Sequence, residues 1–91
     1  MEQKVRAVFA AHFTGKEKAR EMAGLYQEAG VEAIFREAED FMENKNWAEQ
    51  EGMTHLLYFS DEEHITMVSF ADEMGGFTVE ILLSDLQLPR I

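Results

Sequence analysis

A threonine, a glycine and a lysine, Thr14-Gly15-Lys16, stand between an apolar run and a helical pattern, where phosphate-binding loops occur. A P-loop requires the pattern G-x-x-x-x-G-K-[ST], and both its first glycine and its trailing hydroxyl are missing here. A helix N-terminus could still bind an anion weakly through its free N–H groups. Thr14 and Glu17, however, are spaced as a capping box, which predicts a helix start rather than a phosphate site.

The three histidines, His12, His55 and His64, have no metal-ligand spacing. His64 follows three consecutive acids, residues 61–63, and carboxylates suit a hard divalent cation. Three acids in a turn are more often simply solvated, and that interpretation is favoured. No serine lies in a G-x-S-x-G pattern, and the chain contains no cysteine. We therefore predict no catalytic residue, no metal site and no cofactor.

Three side chains are candidates for contact with a protein partner or RNA: Arg36, Phe41 and Trp47. Arg36 follows a predicted strand and would lie at the carboxyl end of the sheet, where open α/β folds bind ligands. The acidic residues beside Arg36 favour the interpretation that it forms local ion pairs. Trp47 lies off the apolar side of its predicted helix, and two alternatives are open. It is either an exposed interface contact, as tryptophan often is, or a cover for the edge of the core.

The apolar pattern predicts five strands and two helices. Strands are expected at residues 5–13, 31–35, 54–59, 64–70 and 77–82. The first helix carries an apolar stripe that ends before Gly30, and the second ends at Gly52, since glycine commonly follows the last turn of a helix. The stripe residues are Ala19, Met22, Ala23, Tyr26 and Ala29 in the first helix, and Phe41, Met42, Lys45 and Ala48 in the second. A loop containing Gly75-Gly76 joins the last two strands, and a short helical turn is expected at residues 84–87.

These elements predict an α/β fold in a single domain, residues 1–91. Strand–helix–strand units require parallel pairing, whereas the closing hairpin must be antiparallel. The expected sheet is a mixed five-stranded one of order 2-1-3-4-5, with helices on both faces. Its central strands place Val8, Phe9, Leu57 and Phe59 among the most buried side chains.

Charge and hydropathy limit the partners and the cellular locations that are expected for this chain. Eighteen acids against eight bases give a net charge of −10. Nucleic-acid binding relies on Lys and Arg to neutralise phosphates, so this charge disfavours RNA. The N-terminus lacks an apolar signal segment, and no apolar run reaches the ~20 residues that span a bilayer. A cytoplasmic location is therefore expected.

Three stretches, in this order and spacing, resemble one known domain. They are residues 18–33, KAREMAGLYQEAGVEA; residues 47–53, WAEQEGM; and residues 65–86, a hairpin that ends in LSDL. The pattern is similar to the C-terminal anticodon-binding domain of the histidyl-tRNA synthetase family, which includes the regulatory subunit of ATP phosphoribosyltransferase. It spans nearly the whole chain, from about residue 5 to residue 86.

The resemblance implies an anticodon-binding-type fold and two alternative roles. In synthetases of this type, a basic, hydroxyl-bearing stretch after the second strand approaches the anticodon. Here that stretch contains four acids, Glu37, Glu39, Asp40 and Glu43. The leading hypothesis is therefore a non-catalytic regulatory module that contacts the ATP phosphoribosyltransferase catalytic subunit in histidine biosynthesis. The alternative is a tRNA anticodon-binding module.

Overall fold

The computed structural model describes residues 5–70 and 77–86. The elements in these residues are β1 (Arg6–Ala11), α1 (Lys16–Glu28), β2 (Glu32–Phe35), α2 (Phe41–Gln50), β3 (His55–Phe59), β4 (His64–Ser69) and β5 (Phe77–Leu82). Short 3-10 turns lie at Phe13–Gly15 and Leu83–Asp85. The second turn begins one residue before the predicted helical turn. The predicted Gly75-Gly76 loop lies outside the described residues.

The strands form one sheet of order β2-β1-β3-β4-β5. β1 is parallel to both β2 and β3, and β4 is antiparallel to β3 and β5. The predicted fold class and strand order are therefore confirmed. No helix in the described part of the chain is long and apolar enough to cross a membrane.

Each face of the sheet has its own apolar cluster, so the fold has three layers. On the α1 side, Phe9, Leu57 and Phe59 pack with Ala19 and Tyr26 of the helix. The cluster on the α2 side joins sheet and helix through these residues: Val8, Ala10, Ala48, Met53, Leu56, Tyr58 and Val68. The four residues predicted for the core, two from β1 and two from β3, all have zero exposure. That prediction is confirmed.

The end of β1 differs from the prediction. The strand stops at Ala11 rather than continuing to residue 13, and Phe13 is 73% exposed. The cause is a tight turn across the end of β3: a Cβ on Gly15 would lie 2.8 Å from the carbonyl oxygen of Asp61. The capping-box prediction is also wrong. Gly15 occupies the N-cap, and the Thr14 hydroxyl donates to the Ser60 carbonyl at 3.4 Å.

The helix ends are mostly as predicted. Gly30 and Gly52 follow the two helices with φ of +89° and +73°, the left-handed conformation that glycine adopts without strain. Ala29 is exposed, because α1 ends one residue before it. The predicted buried side of α2 is partly wrong as well: Met42 is 53% exposed, whereas Asn44 is fully buried.

A stacked arginine at the β2–α2 junction as the candidate functional site

Arg36 continues the pairing of β2 by one residue beyond the strand. Its backbone N–H donates to the carbonyl of Phe9 at 2.8 Å. Side chains alternate between the faces of a strand, so Arg36 shares a face with Ile34. Ile34 pairs with Val8, which belongs to the cluster on the α2 side. The guanidinium of Arg36 is therefore directed towards α2.

Two residues of α2, Trp47 and Asn44, contact that guanidinium. Its carbon lies 4.8 Å from the ring centroid of Trp47, and one of its nitrogens donates to Oδ1 of Asn44 at 3.0 Å. The side chain of Arg36 is only 23% exposed. Partial desolvation strengthens an arginine–tryptophan contact, which in general contributes ~0.5–2 kcal/mol. The planar guanidinium is thus held in one orientation by stacking and by a hydrogen bond.

Asn44 fixes the segment between β2 and α2. Its amide nitrogen donates to the carbonyls of Ala38 at 2.7 Å and Asp40 at 2.8 Å, while its oxygen accepts from Arg36. The side chain is fully buried, and these bonds satisfy both its amide nitrogen and its oxygen. Sequence analysis did not identify this residue. The available signal was a polar side chain three residues after Phe41 and four before Ala48, within the apolar stripe.

Phe41 anchors the start of α2 on β3. Its ring meets the ring of Tyr58 edge-on, with centroids 5.3 Å apart. The hydroxyl of Tyr58 donates to the carbonyl of Glu39. The ring and the hydroxyl of Tyr58 therefore both contact the chain where it enters α2. Burial raises the pKa of Tyr58, and the nearby carboxylates of Asp40 and Glu39 raise it further. The hydroxyl therefore stays a neutral donor.

We refer to Arg36, Phe41, Asn44 and Trp47, together with the acids at positions 37, 39, 40 and 43, as the junction surface. The cations on and beside it already face carboxylates. The pairs are Lys16 with Glu39 at 4.0 Å, Arg20 with Glu37 at 3.5 Å and Arg36 with Glu43 at 3.9 Å. The Arg20 guanidinium also lies 5.0 Å above the ring of Phe35. Three cations against four carboxylates leave this surface slightly negative.

The three candidate contact residues therefore lie on the same side of the sheet. Arg36 and Trp47 touch each other, and Phe41 packs nearly two turns before Trp47 on α2. The predicted local ion pairing of Arg36 is present, with the stacking and the bond to Asn44 in addition. Trp47 is partly buried against the cluster on the α2 side, as expected if it covers the edge of the core. Its role as a partner contact stays a prediction.

Asp61 and His64 stabilise the β3–β4 turn through hydrogen bonds within it. The Asp61 carboxylate accepts from the backbone N–H groups of Glu63 and His64, both at 2.8 Å, and lies 2.9 Å from Nδ1 of His64. The backbone bond from Glu63 and the contacts with His64 lower the pKa of Asp61. The hydrogen bond with Asp61 raises the pKa of His64. Across residues 5–70 and 77–86, no group of three metal-ligating side chains is assembled.

Comparison with known proteins identifies the fold. No protein-family model matches this chain, and neither does any curated protein. Among solved structures, the crystal structure of histidyl-tRNA synthetase from Nostoc sp. PCC 7120 is similar, with a TM-score of 0.69 and 16% sequence identity. The match covers 92% of this chain and 21% of the synthetase chain. At this identity the similarity shows a shared fold, that of a domain about a fifth the length of the synthetase.

Proposed function

We propose that this chain is a non-catalytic, cytoplasmic binding module that contacts a protein partner through the junction surface. The observation that carries the proposal is the pairing of Lys16, Arg20 and Arg36 with carboxylates. A phosphate backbone would have to displace those carboxylates and would meet a slightly negative surface. A protein partner needs only a patch that matches the rigid aromatic and arginine side chains, which are typical interface anchors.

The partner that the sequence resemblance suggests is the catalytic subunit of ATP phosphoribosyltransferase. In this proposal the chain acts like the C-terminal domain of the regulatory subunit, a synthetase relative that acts by contact in histidine biosynthesis. The network around Asn44 supports such a role, because it holds Arg36 and Trp47 in place before any partner arrives. A preorganised surface loses little side-chain entropy on binding.

The test is a binding titration of the catalytic subunit with the wild-type chain and with Trp47→Ala. Loss of an interface tryptophan costs ~2 kcal/mol or more, which is roughly a thirty-fold weaker affinity. Leu25→Ala on α1 is the matched control, because Leu25 is exposed but lies on the opposite face of the sheet. Phosphoribosyltransferase activity in the mixture provides a second readout. The absence of any complex would rule out this partner, and equal effects of the two variants would rule out the junction surface.

A second candidate is a tRNA anticodon-binding module. The similarity to a solved histidyl-tRNA synthetase supports this candidate more directly than it supports the regulatory-subunit role. Partly exposed aromatic rings and arginines are also side chains on which unpaired RNA bases stack. Under our first proposal, total tRNA should not bind at physiological salt. Tight binding that weakens steeply as salt increases would instead favour the second candidate, because such a slope reports counterions released from phosphates.

A further inference from the structure

The two edges of the sheet differ in how their outward backbone groups are satisfied. At the β2 edge, the N–H of Arg36 donates to Phe9 of β1, so the backbone groups of the alternate residues Ala33 and Phe35 point away from the sheet. The side chain of Gln27 on α1 donates to the outward carbonyl of Ala33 at 2.6 Å. β2 is also only four residues long, and short edge strands resist pairing with another chain. The β2 edge is therefore protected.

The β5 edge has a row of unpaired backbone groups. Leu83 donates its N–H to the carbonyl of Glu63 at 2.7 Å, which extends the β4–β5 pairing by one residue. Backbone groups alternate in direction along a strand, so the N–H groups of Thr78, Glu80 and Leu82 point away from β4, as do the carbonyls of the first two. Within residues 5–70 and 77–86, no hydrogen bond uses these groups and no strand lies beyond β5. They form an open edge.

The side chains along this open edge are acidic on one face of the sheet and apolar on the other. On the α2 side, Glu80 lines a cavity of about 600 Å³ together with Asp61, His64 and Asp85. Asp61 is already paired with His64 at 2.9 Å, whereas no ion pair within the described ranges includes Glu80 or Asp85. On the α1 side, Val79 is 38% exposed. A strand beside β5 would therefore meet carboxylates on one face and an aliphatic side chain on the other.

We propose that β5 binds an extended segment of a partner protein, which adds one antiparallel strand with basic residues on the α2 side and aliphatic residues on the α1 side. In this mode of recognition, main-chain hydrogen bonds provide affinity and alternate side chains provide specificity. Antiparallel pairing continues the pattern of β3, β4 and β5. Opposite charges on facing strands are stabilising, so a lysine or arginine is expected opposite Glu80. A second copy of this chain would instead bring another net charge of −10 to the edge.

The proposal does not depend on the junction surface, because β2 and β5 are opposite edges of the sheet. The probe is an end-capped peptide of about eight residues in which lysine and valine alternate, within the usual length of a strand. The measurement is a titration of the isotope-labelled 91-residue chain, followed by NMR shifts and hydrogen exchange. Trp47→Ala should leave the affinity for this peptide unchanged.

Two N-methylated peptides distinguish backbone pairing from charge attraction. In an antiparallel pair, the residues that face Thr78, Glu80 and Leu82 direct their own N–H groups at β5. Lysines occupy these positions in the proposed pairing, so N-methylation of the lysines should weaken binding roughly ten-fold or more. The N–H groups of the valines point to solvent, so N-methylation of the valines should leave the affinity nearly unchanged. Both peptides carry the same charge.

Substitutions at two positions of β5 test the edge from the side of the protein. Thr78→Pro removes one outward N–H and keeps the bonds to β4, since proline is tolerated on the open side of an edge strand. It should weaken binding several-fold relative to Thr78→Ala, which keeps that N–H. Glu80→Lys should weaken binding more than Glu80→Gln does, because it replaces attraction by repulsion. Thermal melts check that each variant folds, and the methylated peptides decide the question if Thr78→Pro does not.

Hydrogen exchange gives the signature of the edge residue by residue. In the free chain, the amides of Val79 and Ile81, which point to β4, should exchange slowly. Those of Thr78, Glu80 and Leu82 should exchange quickly until the peptide saturates the edge. Slow exchange of these three amides in the dilute free chain, equal affinities of the two methylated peptides, or no binding would each overturn the proposal. Protection that appears only as the protein concentration rises would show a second copy on the edge and would overturn the choice of partner.

Discussion

The parallel half of this sheet (β1, β2 and β3) and its antiparallel ribbon (β4 and β5) differ in how completely their apolar side chains are buried. β1 and β3 lie under a helix on each face, and their apolar residues are almost completely buried. In β5, by contrast, Thr78 and Glu80 are exposed and Val79 is only partly covered. Burial decreases at the two edge strands, where Ile34 of β2 and Val79 of β5 are exposed, whereas Ile65 and Val68 of β4 are still buried. We therefore expect substitutions in β1 and β3 to lower the free energy of unfolding more than substitutions in β5 do.

The largest expected effect is on stability. Leu57→Ala removes a fully buried side chain between two layers and should lower the free energy of unfolding by ~2–5 kcal/mol. Val79→Ala, on the half-covered ribbon, should cost less than ~1 kcal/mol. Chemical denaturation of the two variants measures both values. Similar losses would mean that the ribbon contributes to the core as much as β3 does.

Asn44 is expected to have the next largest effect, because it is a buried polar group in the parallel half. Asn44→Ala removes the side-chain donor to the carbonyls of Ala38 and Asp40 and the amide acceptor of Arg36, at a cost of ~1–3 kcal/mol, although the backbone N–H of residue 44 still donates to Asp40. Asn44→Asp keeps the shape but turns a carboxylate oxygen towards those two carbonyls, so it should be at least as destabilising. Denaturation gives the cost, and hydrogen exchange at residues 36–40 shows whether the junction opens. A neutral Asn44→Ala would contradict the assigned network.

Most of the fold could be predicted from the sequence because its signals are local. Continuous apolar runs marked the buried strands, and Gly30 and Gly52 marked the helix ends by a backbone conformation that they alone adopt in the described residues. The strand order followed from the lengths of the connections.

Features that depend on contacts distant in sequence could not be predicted. Phe13 leaves the strand because Gly15 must pass close to Phe59 and Asp61, 44 or more residues away. Arg36, Phe41 and Trp47 could be selected by residue type and position. The stack of Arg36 on Trp47 requires the angle at which α2 crosses the sheet. Asn44 also takes part, because it bonds to Arg36 and to the segment before α2, and the sequence alone did not show that it is buried.

A smaller effect is expected from the stack between Arg36 and Trp47. Arg36→Lys keeps the charge but loses the planar group that lies 4.8 Å from the indole and bonds to Asn44. We expect a loss of about 0.5–1 kcal/mol, since the pair is only partly desolvated. Trp47 is the single tryptophan of the chain, so its fluorescence reports directly on the stack. Arg20→Lys, beside Phe35, is the control. An unchanged emission spectrum in Arg36→Lys would show that the stack is not formed in solution.

The smallest expected effect is a difference in pKa between two histidines, one in each half of the sheet. His55 begins β3, and partial burial lowers its pKa below the ordinary 6.5. His64 begins β4, where the hydrogen bond with Asp61 raises its pKa above 6.5. NMR titration of the ring protons should therefore find His64 titrating at higher pH than His55. Asp61→Asn should move only His64, downwards.

The two pKa shifts have opposite consequences for stability. The contribution of His64 is fully present below pH 6.5 and is lost as pH rises through its raised pKa, because the unfolded chain then releases the proton first. His55 acts in reverse, since its contribution is present above pH 6.5 and is lost as pH falls through its lowered pKa. Mild acid should therefore weaken β3 while the β3–β4 turn stays closed. Equal pKa values for the two histidines would mean that neither the burial of His55 nor the contact of His64 with Asp61 persists in solution.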